Sequence, residues 1–416
     1  MRYELFISRR MKLGGDTTGA TPSLNVALVA LTLAIVVMIL SVVIMNGFRD
    51  EITQKLYNLD AHLKVSNGVL GIDDNYATVN GREIYAAIMA DSAMSSQVTS
   101  MWLTADKPAI LKTNTDFKGV ELRGVDDGFD WKYLERCLVD GRVPAVGDSA
   151  ATEVIISQTV ARQLQLKTGD KVLSYFIDEK VRVRNLHIVG VYNTDFDTFD
   201  KMVVMCNIGL IQQVNGWTAD TGNSVCVDLN DLSNIEQKAY QLYSSLAVDT
   251  YKRQLNTLKI VSHTRKNNLA FFSWLGMLDM NVIIILTLMF IVSGFTLISA
   301  LLMIVLERIK MVGLLKALGA TNGSIRSIFI YLTAKIIVRA IVLGNIIGIG
   351  LALLQKHLHI VRLNPEAYYM PYVPIDINFG HLLLLNVAIL VVSYLTLIGP
   401  SHIISSIKPT TTMRFE

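Results

Sequence analysis

Long runs of apolar residues, of which only the third contains charged residues, set the pattern of this chain. A helix needs roughly 20 apolar residues to cross a bilayer core about 30 Å thick. Four stretches meet this requirement, and they are Thr17–Phe48, Asn281–Leu306, Ile328–Leu354 and Leu382–Ile404. No small-residue cleavage site follows the first run, which is also longer than the core of a signal peptide, so we expect it to remain as an anchor. The pattern predicts four membrane-spanning helices.

Basic residues near the ends of the runs predict the orientation, because Lys and Arg favour the cytoplasmic side. They cluster in three places: Arg2, Arg9, Arg10 and Lys12; Arg308, Lys310, Lys316 and Arg326; Lys408 and Arg414. We therefore expect both termini and the loop 307–327 to be cytoplasmic. The predicted segments are 1–23 (cytoplasmic), 24–46 (first span), 47–270 (outer domain), 271–306 (second span), 307–327 (cytoplasmic loop), 328–354 (third span), 355–379 (outer loop), 380–404 (fourth span) and 405–416 (tail).

The segment 47–270 has the alternating pattern of a globular domain. Residues 171–176 and 181–183 alternate as strands do, with Asp178-Glu179 as the turn. Residues 158–166 are apolar at helical spacing, and Thr168-Gly169-Asp170 is expected to end that helix. Two helical stalks are predicted, at 49–59 and 252–279. The expected fold class is an all-α four-span transmembrane domain with a large extracytoplasmic α+β domain.

Composition supports a membrane protein and narrows the chemistry. Apolar residues make up 51% of the chain, charged residues 18%, and the mean hydropathy is +0.41. A net charge of +3 without a basic, aromatic-rich cluster gives no reason to expect nucleic acid as a partner. Cys137, Cys206 and Cys226 form no metal-binding pattern; one disulfide and three buried thiols are both compatible with their spacing.

We find no catalytic motif in the sequence. Residues 14–21 resemble a phosphate-binding loop, but Ala20 stands where such a loop needs Lys, and a membrane span follows directly. We therefore expect a non-catalytic chain that holds neither cofactor nor metal and cannot hydrolyse ATP by itself.

Apolar residues recur at every third position of the cytoplasmic loop. They are Ile309, Val312, Leu315 and Leu318, and Gly319 follows them as a helix end. Two interpretations remain open. The helix lies on the membrane surface, or it couples the spans to a cytoplasmic partner.

The third span contains charged and small residues. Lys335 and Arg339 share one helical face, as functional groups or as side chains that reach the cytoplasmic headgroups. Gly344 and Gly348, with Gly350 beside them, predict close helix packing against an unspecified partner helix.

The loop also carries a recognisable motif. Residues 307–320 read ER-x-x-x-x-G-x-L-K-A-L-G-A directly after a span, and this resembles the signature of the FtsX-like, macrolide-exporter-type superfamily of ABC transporter permeases. Within it the chain is most similar to the lipoprotein-releasing system transmembrane permeases. The residues that carry this second similarity are 119–126, 155–158, Leu164, Gly169-Asp170, 189–192, Asp200 and Asn268-Leu269.

The resemblance implies a mechanism and a location, the bacterial inner (cytoplasmic) membrane. A separate cytoplasmic ATPase would bind ATP and Mg²⁺, and a second copy or a homologous permease would complete the transporter. The implied ATPase-coupling residues are Glu307, Arg308, Val312, Gly313, Leu315, Lys316 and Gly319. A triacylated lipoprotein would enter between the first and second spans from the outer leaflet and pass to a periplasmic chaperone.

We expect the lipoprotein-binding surface where these two spans meet their stalks. The apolar residues there are Val42, Met45, Phe48, Met277, Met280 and Ile284. Acyl chains need such a surface, and flexible methionines suit a site that accepts different substrates. Packing between the helices or contact with membrane lipids would explain the same residues.

Two departures from the family pattern keep other functions open. Met311 occupies a position that is often acidic, and the segment between Asp170 and Val189 is short and lacks the prolines of the chaperone-binding hook. The alternatives are an efflux or mechanotransmission-type permease, and a membrane-anchored receptor.

Overall fold

The computed structural model describes residues 20–67, 78–145, 152–177, 180–252 and 259–401. The expected N-terminal segment, most of the phosphate-loop-like stretch 14–21, the turn Asp178-Glu179 and the tail 405–416 lie outside these ranges. The chain divides into two compact units. The helical unit comprises Met1–Glu51, Ser273–Arg362 and Tyr372–Glu416, and the sheet unit comprises Ile52–Phe272 and Leu363–Pro371.

Among the described residues, four helices are long and apolar enough to cross a membrane. They are α1 (Ala20–Leu59), α10 (Leu269–Glu307), α12 (Asn322–Leu358) and α14 (Phe379–Ser401). Two short helices belong with them in sequence, α11 (Ile309–Ala317) before α12 and α13 (Pro365–Tyr368) before α14. Leu31, Met38, Leu301, Phe329 and Ala340 lie in the apolar core that α1, α10, α12 and α14 share. The predicted membrane helices are therefore present, and α1, α10 and α12 are longer than the apolar runs that predicted them.

Besides α13, the sheet unit contains twelve named strands and eight further helices among its described residues. The strands are β1 (Leu63–Asn67), β2 (Val79–Asn80), β3 (Val98–Lys112), β4 (Phe117–Val125), β5 (Leu138–Gly141), β6 (Glu153–Ser157), β7 (Lys171–Ile177), β8 (Val181–Tyr192), β9 (Val203–Asn207), β10 (Thr221–Gly222), β11 (Ser224–Leu229) and β12 (Lys259–His263). The helices are α2 (Gly81–Ala90), α3 (Ser92–Ser95), α4 (Lys132–Arg136), α5 (Gln158–Leu164), α6 (Asp197–Met202), α7 (Ile208–Asn215) and α8 (Ile235–Lys252), with the one-turn α9 (Thr264–Asn267) after β12.

One large mixed sheet organises this unit. Its ten strands run in the order β12-β1-β11-β3-β4-β9-β6-β8-β5, and β7 pairs with both β3 and β8. The pairs β4–β9 and β6–β8 are parallel, whereas the other pairs are antiparallel. Side chains of β7 alternate between buried and exposed, so period-two patterning matches the pleat of a sheet with one covered face. The predicted strands at 171–176 and 181–183 are confirmed as parts of β7 and β8.

Three expectations need correction. The all-α description fits the spans alone, because the chain's other unit is built on a sheet. The second stalk is not one helix over 252–279: α8 ends at Lys252, and β12 pairs along the edge of β1 before α10 begins. Edge pairing gives that backbone hydrogen-bond partners that the apolar pattern does not reveal. The helix predicted to reach residue 166 ends at Leu164, because Gln165 adopts a left-handed conformation with φ of 55°.

Candidate functional site

The motif of residues 307–320 folds into a short helix with defined ends. Its first boundary is Arg308, whose backbone leaves the helical conformation between α10 and α11. Its second boundary is a Schellman motif, in which Ala320 N–H donates to Leu315 O at 2.9 Å and Gly319 N–H donates to Lys316 O at 3.0 Å. Gly319 has φ of +90°, which a residue with a side chain rarely adopts. The motif therefore fixes where α11 stops and α12 starts.

The predicted apolar stripe of α11 is divided between core and surface. Val312 and Leu315 are buried in the core of the helical unit, and Gly313 is buried beside them. Leu318 is 77% exposed. Leu314, which lies outside the predicted stripe, is 57% exposed. Buried residues set the position of α11, and the two exposed leucines form the apolar surface that the helix offers.

The charged residues of the predicted coupling set lie mainly at the ends of α11. Glu307 is exposed at the end of α10, Arg308 is half-buried, and Lys316 is half-buried in the last turn. Gly319 is exposed beyond the helix. Among the predicted coupling residues, these four are therefore the ones that a partner can reach directly.

The predicted lipid-binding residues fall into two groups of different exposure. On α1, Met45 is buried, whereas Val42 and Phe48 are half-buried. On α10, Met277, Met280 and Ile284 are exposed by 61%, 57% and 53% of their surface. The α10 group therefore offers an apolar face, and the α1 group packs mostly within the helical unit.

An ion pair joins α1 and α10 at the level of these residues. Arg49 Nη2 lies 3.5 Å from Asp279 Oδ2, so the helices meet between Phe48 and Met280. The sequence analysis did not select Arg49 or Asp279. An acidic residue inside a long apolar run is the signal that points to Asp279.

A groove of about 560 Å³ runs between the same two helices nearer their other ends. Its apolar lining includes Val26, Ala27 and Ala30 from α1 and Phe295 and Met303 from α10. Val26 and Phe48 are 22 residues apart, which corresponds to roughly 33 Å along a helix. The groove is therefore separate from the predicted lipid-binding surface.

The glycines of α12 allow a close approach of α1. A Cβ atom added at Gly344 would lie 2.6 Å from Ile35 Cγ2, and one at Gly348 would lie 3.2 Å from Ile39 Cβ. Gly350 faces open space. The structure therefore places the first span of the same chain against Gly344 and Gly348.

Polar residues also join the third and fourth spans. Asn345 and Asn386 exchange side-chain hydrogen bonds of 2.7 and 3.1 Å, and each amide also donates to the carbonyl four residues earlier in its own helix. Such pairs hold helices together in an apolar environment. Of the charged residues in α12, Lys335 is half-buried and Arg339 is exposed.

A buried lysine fastens three segments of the sheet unit together. Lys55, near the end of α1, donates from Nζ to Thr194 O and to Tyr369 O, each at 2.9 Å. Thr194 follows β8, and Tyr369 belongs to the segment between α12 and α14. Tyr369 and Asp195 both have positive φ, a strained conformation that persists where surrounding contacts enforce it.

Aromatic rings pack at the same junction. Phe196 lies 4.9 Å from Phe271 and 5.1 Å from Tyr369 between ring centroids. Asp200 on α6 holds the loop between β8 and α6. Its carboxylate accepts hydrogen bonds from the N–H and the hydroxyl of Thr194. Burial raises the pKa of Asp200 to about 6 although these hydrogen bonds oppose the shift. The parts of α1, α10 and the α12–α14 connection that belong to the sheet unit therefore meet at one point.

A buried ionic network anchors the end of α1 to the sheet. Asp106 on β3 binds Arg123 on β4 at 3.0 Å and Lys64 on β1 at 3.3 Å, and Arg123 donates to Leu59 O. Burial raises the pKa of Asp106, but the charges of Arg123 and Lys64 outweigh this effect and hold it below its usual value. Breaking one partner of such a network leaves a buried charge uncompensated.

The cysteines and potential metal ligands show no further site in the described part of the chain. Cys137, Cys206 and Cys226 carry free thiols, and burial raises the pKa of each. No cluster of three His, Cys, Asp or Glu residues suitable for a metal ion occurs among the described residues.

Two family models match the chain. The model for the FtsX-like permease C-terminal region matches residues 283–409, and the model for the MacB-like periplasmic core domain matches residues 26–242. The second match covers about half of the chain and spans most of the sheet unit.

Curated relatives match nearly the whole chain. The lipoprotein-releasing system transmembrane protein LolC of Neisseria meningitidis serogroup B is 22% identical over 94% of each chain. LolC of Xylella fastidiosa is 21% identical over 94% of this chain and 93% of its own length. An uncharacterized membrane protein of Buchnera aphidicola is 25% identical over 62% of this chain.

Solved structures match the periplasmic type of domain. The extracellular domain of the transporter YknZ from Gram-positive bacteria covers 48% of this chain at 15% identity, with a TM-score of 0.34. The periplasmic region of MacB from Actinobacillus actinomycetemcomitans covers 50% at 14% identity, with a TM-score of 0.35.

Proposed function

Because this chain belongs to the FtsX-like family of ABC transporter permeases with a MacB-like periplasmic core domain, we propose that it releases lipoproteins from a membrane. It extracts them from the outer leaflet of the inner membrane for delivery toward the outer membrane, driven by a separate cytoplasmic ATPase. The observation that carries this proposal is the similarity to LolC proteins along 94% of both chains.

The sheet unit lies in the periplasm, and α11 faces the cytoplasm. The basic residues around α11 support this orientation. An impermeant thiol reagent applied to intact cells should not label a cysteine placed at Asn322, which is exposed after α11. Labelling there would contradict the orientation.

The coupling contact is made by the exposed side of α11. Leu314 and Leu318 insert into the ATPase subunit, while Val312, Gly313 and Leu315 hold the helix against the spans. A charge placed in an apolar contact is costly to desolvate. Leu314→Asp should therefore abolish transport and leave the permease folded.

A matched control distinguishes docking from folding. Asn322→Asp adds the same charge at an exposed position in the first turn of α12, where a negative charge is favourable. It should leave transport unchanged. Full transport by Leu314→Asp would contradict the coupling role of this surface and favour a helix that only lies on the membrane.

The substrate's acyl chains bind the exposed face of α10 near Met277, Met280 and Ile284. Each methylene exposed to water costs about 0.8 kcal/mol, so the chains of a lipoprotein can leave the bilayer only where an apolar face such as this one receives them. On the α1 side Met45 is buried, so it can contact an acyl chain only after the helices that cover it move.

Photo-crosslinking tests the assignment. A photoreactive residue at Met280 should capture triacylated lipoprotein before ATP is added and lose it afterwards. The same residue at Ile346, which is equally exposed on α12, should capture only phospholipid. Capture of phospholipid alone at both positions, unchanged by ATP, would contradict the lipoprotein assignment.

The similarity to a MacB-like periplasmic core domain supports a second candidate, an efflux or mechanotransmission-type permease. A second permease chain completes the transporter in either case. Copurification separates the two functions, because only a lipoprotein-releasing permease should retain lipoprotein in the absence of ATP.

A further inference from the structure

Asp279 stands alone as an acidic group within the apolar part of α10. Between Leu269 and Leu306 the sequence of this helix contains no other charged residue. Its neighbours Met277, Met280 and Ile283 are apolar and exposed. A carboxylate in a membrane helix is costly, so it is retained where it has a partner and a function.

The partner is Arg49 on α1. The two side chains approach to 3.5 Å, with 56% of Arg49 and 31% of Asp279 exposed. A partly exposed pair at this separation is held weakly in water and more strongly as the surroundings become apolar. It can therefore open and close without unfolding either helix.

The ion pair lies between α1 and α10. Acyl chains would have to pass this point to reach the α1 group of the predicted lipid-binding residues. Arg49 directly follows Phe48, and Asp279 directly precedes Met280. Acyl chains cannot pass between α1 and α10 at this level while the two charges are in contact.

We propose that Arg49 and Asp279 form a latch that holds α1 against α10 beside the exposed α10 face, controls the entry of acyl chains between the two helices and selects the substrate. This inference rests on the proposed function and deepens it. The latch is closed while Arg49 and Asp279 are in contact, and it opens when acyl chains separate α1 from α10. A substrate with amide N–H and ester carbonyl groups at the root of its chains satisfies the two separated charges, since Asp279 accepts and Arg49 donates hydrogen bonds. A bare hydrocarbon chain offers neither, so it is rejected.

A reversible crosslink tests the latch directly. Arg49→Cys and Asp279→Cys are combined with Cys137→Ser, which removes the half-buried native thiol; Cys206 and Cys226 are buried. A short bis-methanethiosulfonate reagent joins the two new cysteines, and a photoreactive residue at Ile284 reports the capture of purified triacylated lipoprotein. The crosslinked protein should capture at least tenfold less lipoprotein, and reduction with dithiothreitol should restore capture. The single-cysteine variants treated with the same reagent cannot be crosslinked and lack one charge of the latch, so they should capture at least as much lipoprotein as the wild type.

Charge variants supply an independent readout. Asp279→Asn should increase capture of lipoprotein and also of a synthetic dialkyl chain without polar groups, because the latch no longer discriminates. The exchange Arg49→Asp with Asp279→Arg should return both captures toward the original levels.

The possible outcomes separate the latch from the proposed function. Undiminished capture by the crosslinked protein would overturn the latch and leave lipoprotein binding intact. Failure of the uncrosslinked, charge-intact protein to capture any lipoprotein would overturn the proposed function, and the latch with it.

Discussion

Replacement of Gly344 by Ala probes the packing of the first and third spans most sharply. The added Cβ would lie 2.6 Å from Ile35 Cγ2 and 2.8 Å from Ile35 Cβ. Ordinary contacts between such carbon atoms begin near 3.5 Å. Rotation of the Ile35 side chain moves Cγ2 but leaves Cβ in place, so the helices must separate.

The size of the effect follows from a comparison within α12. Gly350→Ala introduces the same methyl group where nothing lies within 4 Å. Both changes gain the same helix propensity, about 1 kcal/mol, so this gain cancels in the difference. Overpacking costs about 1–3 kcal/mol. Gly344→Ala should therefore be less stable than Gly350→Ala by about 1–3 kcal/mol, with Gly348→Ala between them.

Reversible unfolding in mixed micelles measures these free energies. Ile35→Ala should partly rescue Gly344→Ala, since it removes the nearer of the two clashing atoms, and a double-mutant cycle gives their coupling. Equal stabilities of Gly344→Ala and Gly350→Ala would refute the packing of α12 against α1.

Two further predictions concern the junction of segments within the sheet unit, and a third concerns the pair of spans α12 and α14. Lys55→Met removes two charge-assisted hydrogen bonds, each of which contributes about 1.5–3 kcal/mol, although the loss of the buried charge offsets part of this. We therefore expect faster hydrogen exchange over residues 363–371. Unchanged exchange would contradict the junction. Because the pKa of Asp200 is raised to about 6, its contribution is fully present below about pH 4 and is lost as pH rises to about 6. The unfolding free energy of the wild type should fall by up to about 3 kcal/mol relative to that of Asp200→Asn across that range. Denaturant titrations in which the two proteins show the same pH dependence would refute this. Asn345→Leu leaves Asn386 without its interhelical partner and should destabilise the helical unit by about 0.6–2 kcal/mol in the same micelle assay, whereas no change would show that the pair is dispensable.

The spans were predictable because a bilayer imposes one physical requirement. Length and apolarity identify a membrane helix without any tertiary contact. The strands β7 and β8 were predictable because alternation alone records a sheet with one covered face. The motif around Gly319 was informative because a helix end of that geometry needs glycine.

Contacts between distant segments were not predictable. Residues 259–263 have no pattern that distinguishes strand from helix, and pairing with β1 decides the outcome. The exposure of Leu314 depends on which side of α11 the spans cover. Nothing in the sequence around Lys55 indicates that its ammonium group binds carbonyls more than 100 residues away.

Reconstituted release of lipoprotein tests the central claim most directly. Proteoliposomes would contain this permease, its ATPase subunit and a triacylated lipoprotein, with a periplasmic lipoprotein chaperone outside. The account predicts that ATP transfers lipoprotein to the soluble chaperone and that Leu314→Asp prevents this transfer. ATP hydrolysis by the intact complex with all lipoprotein remaining in the membrane would contradict it.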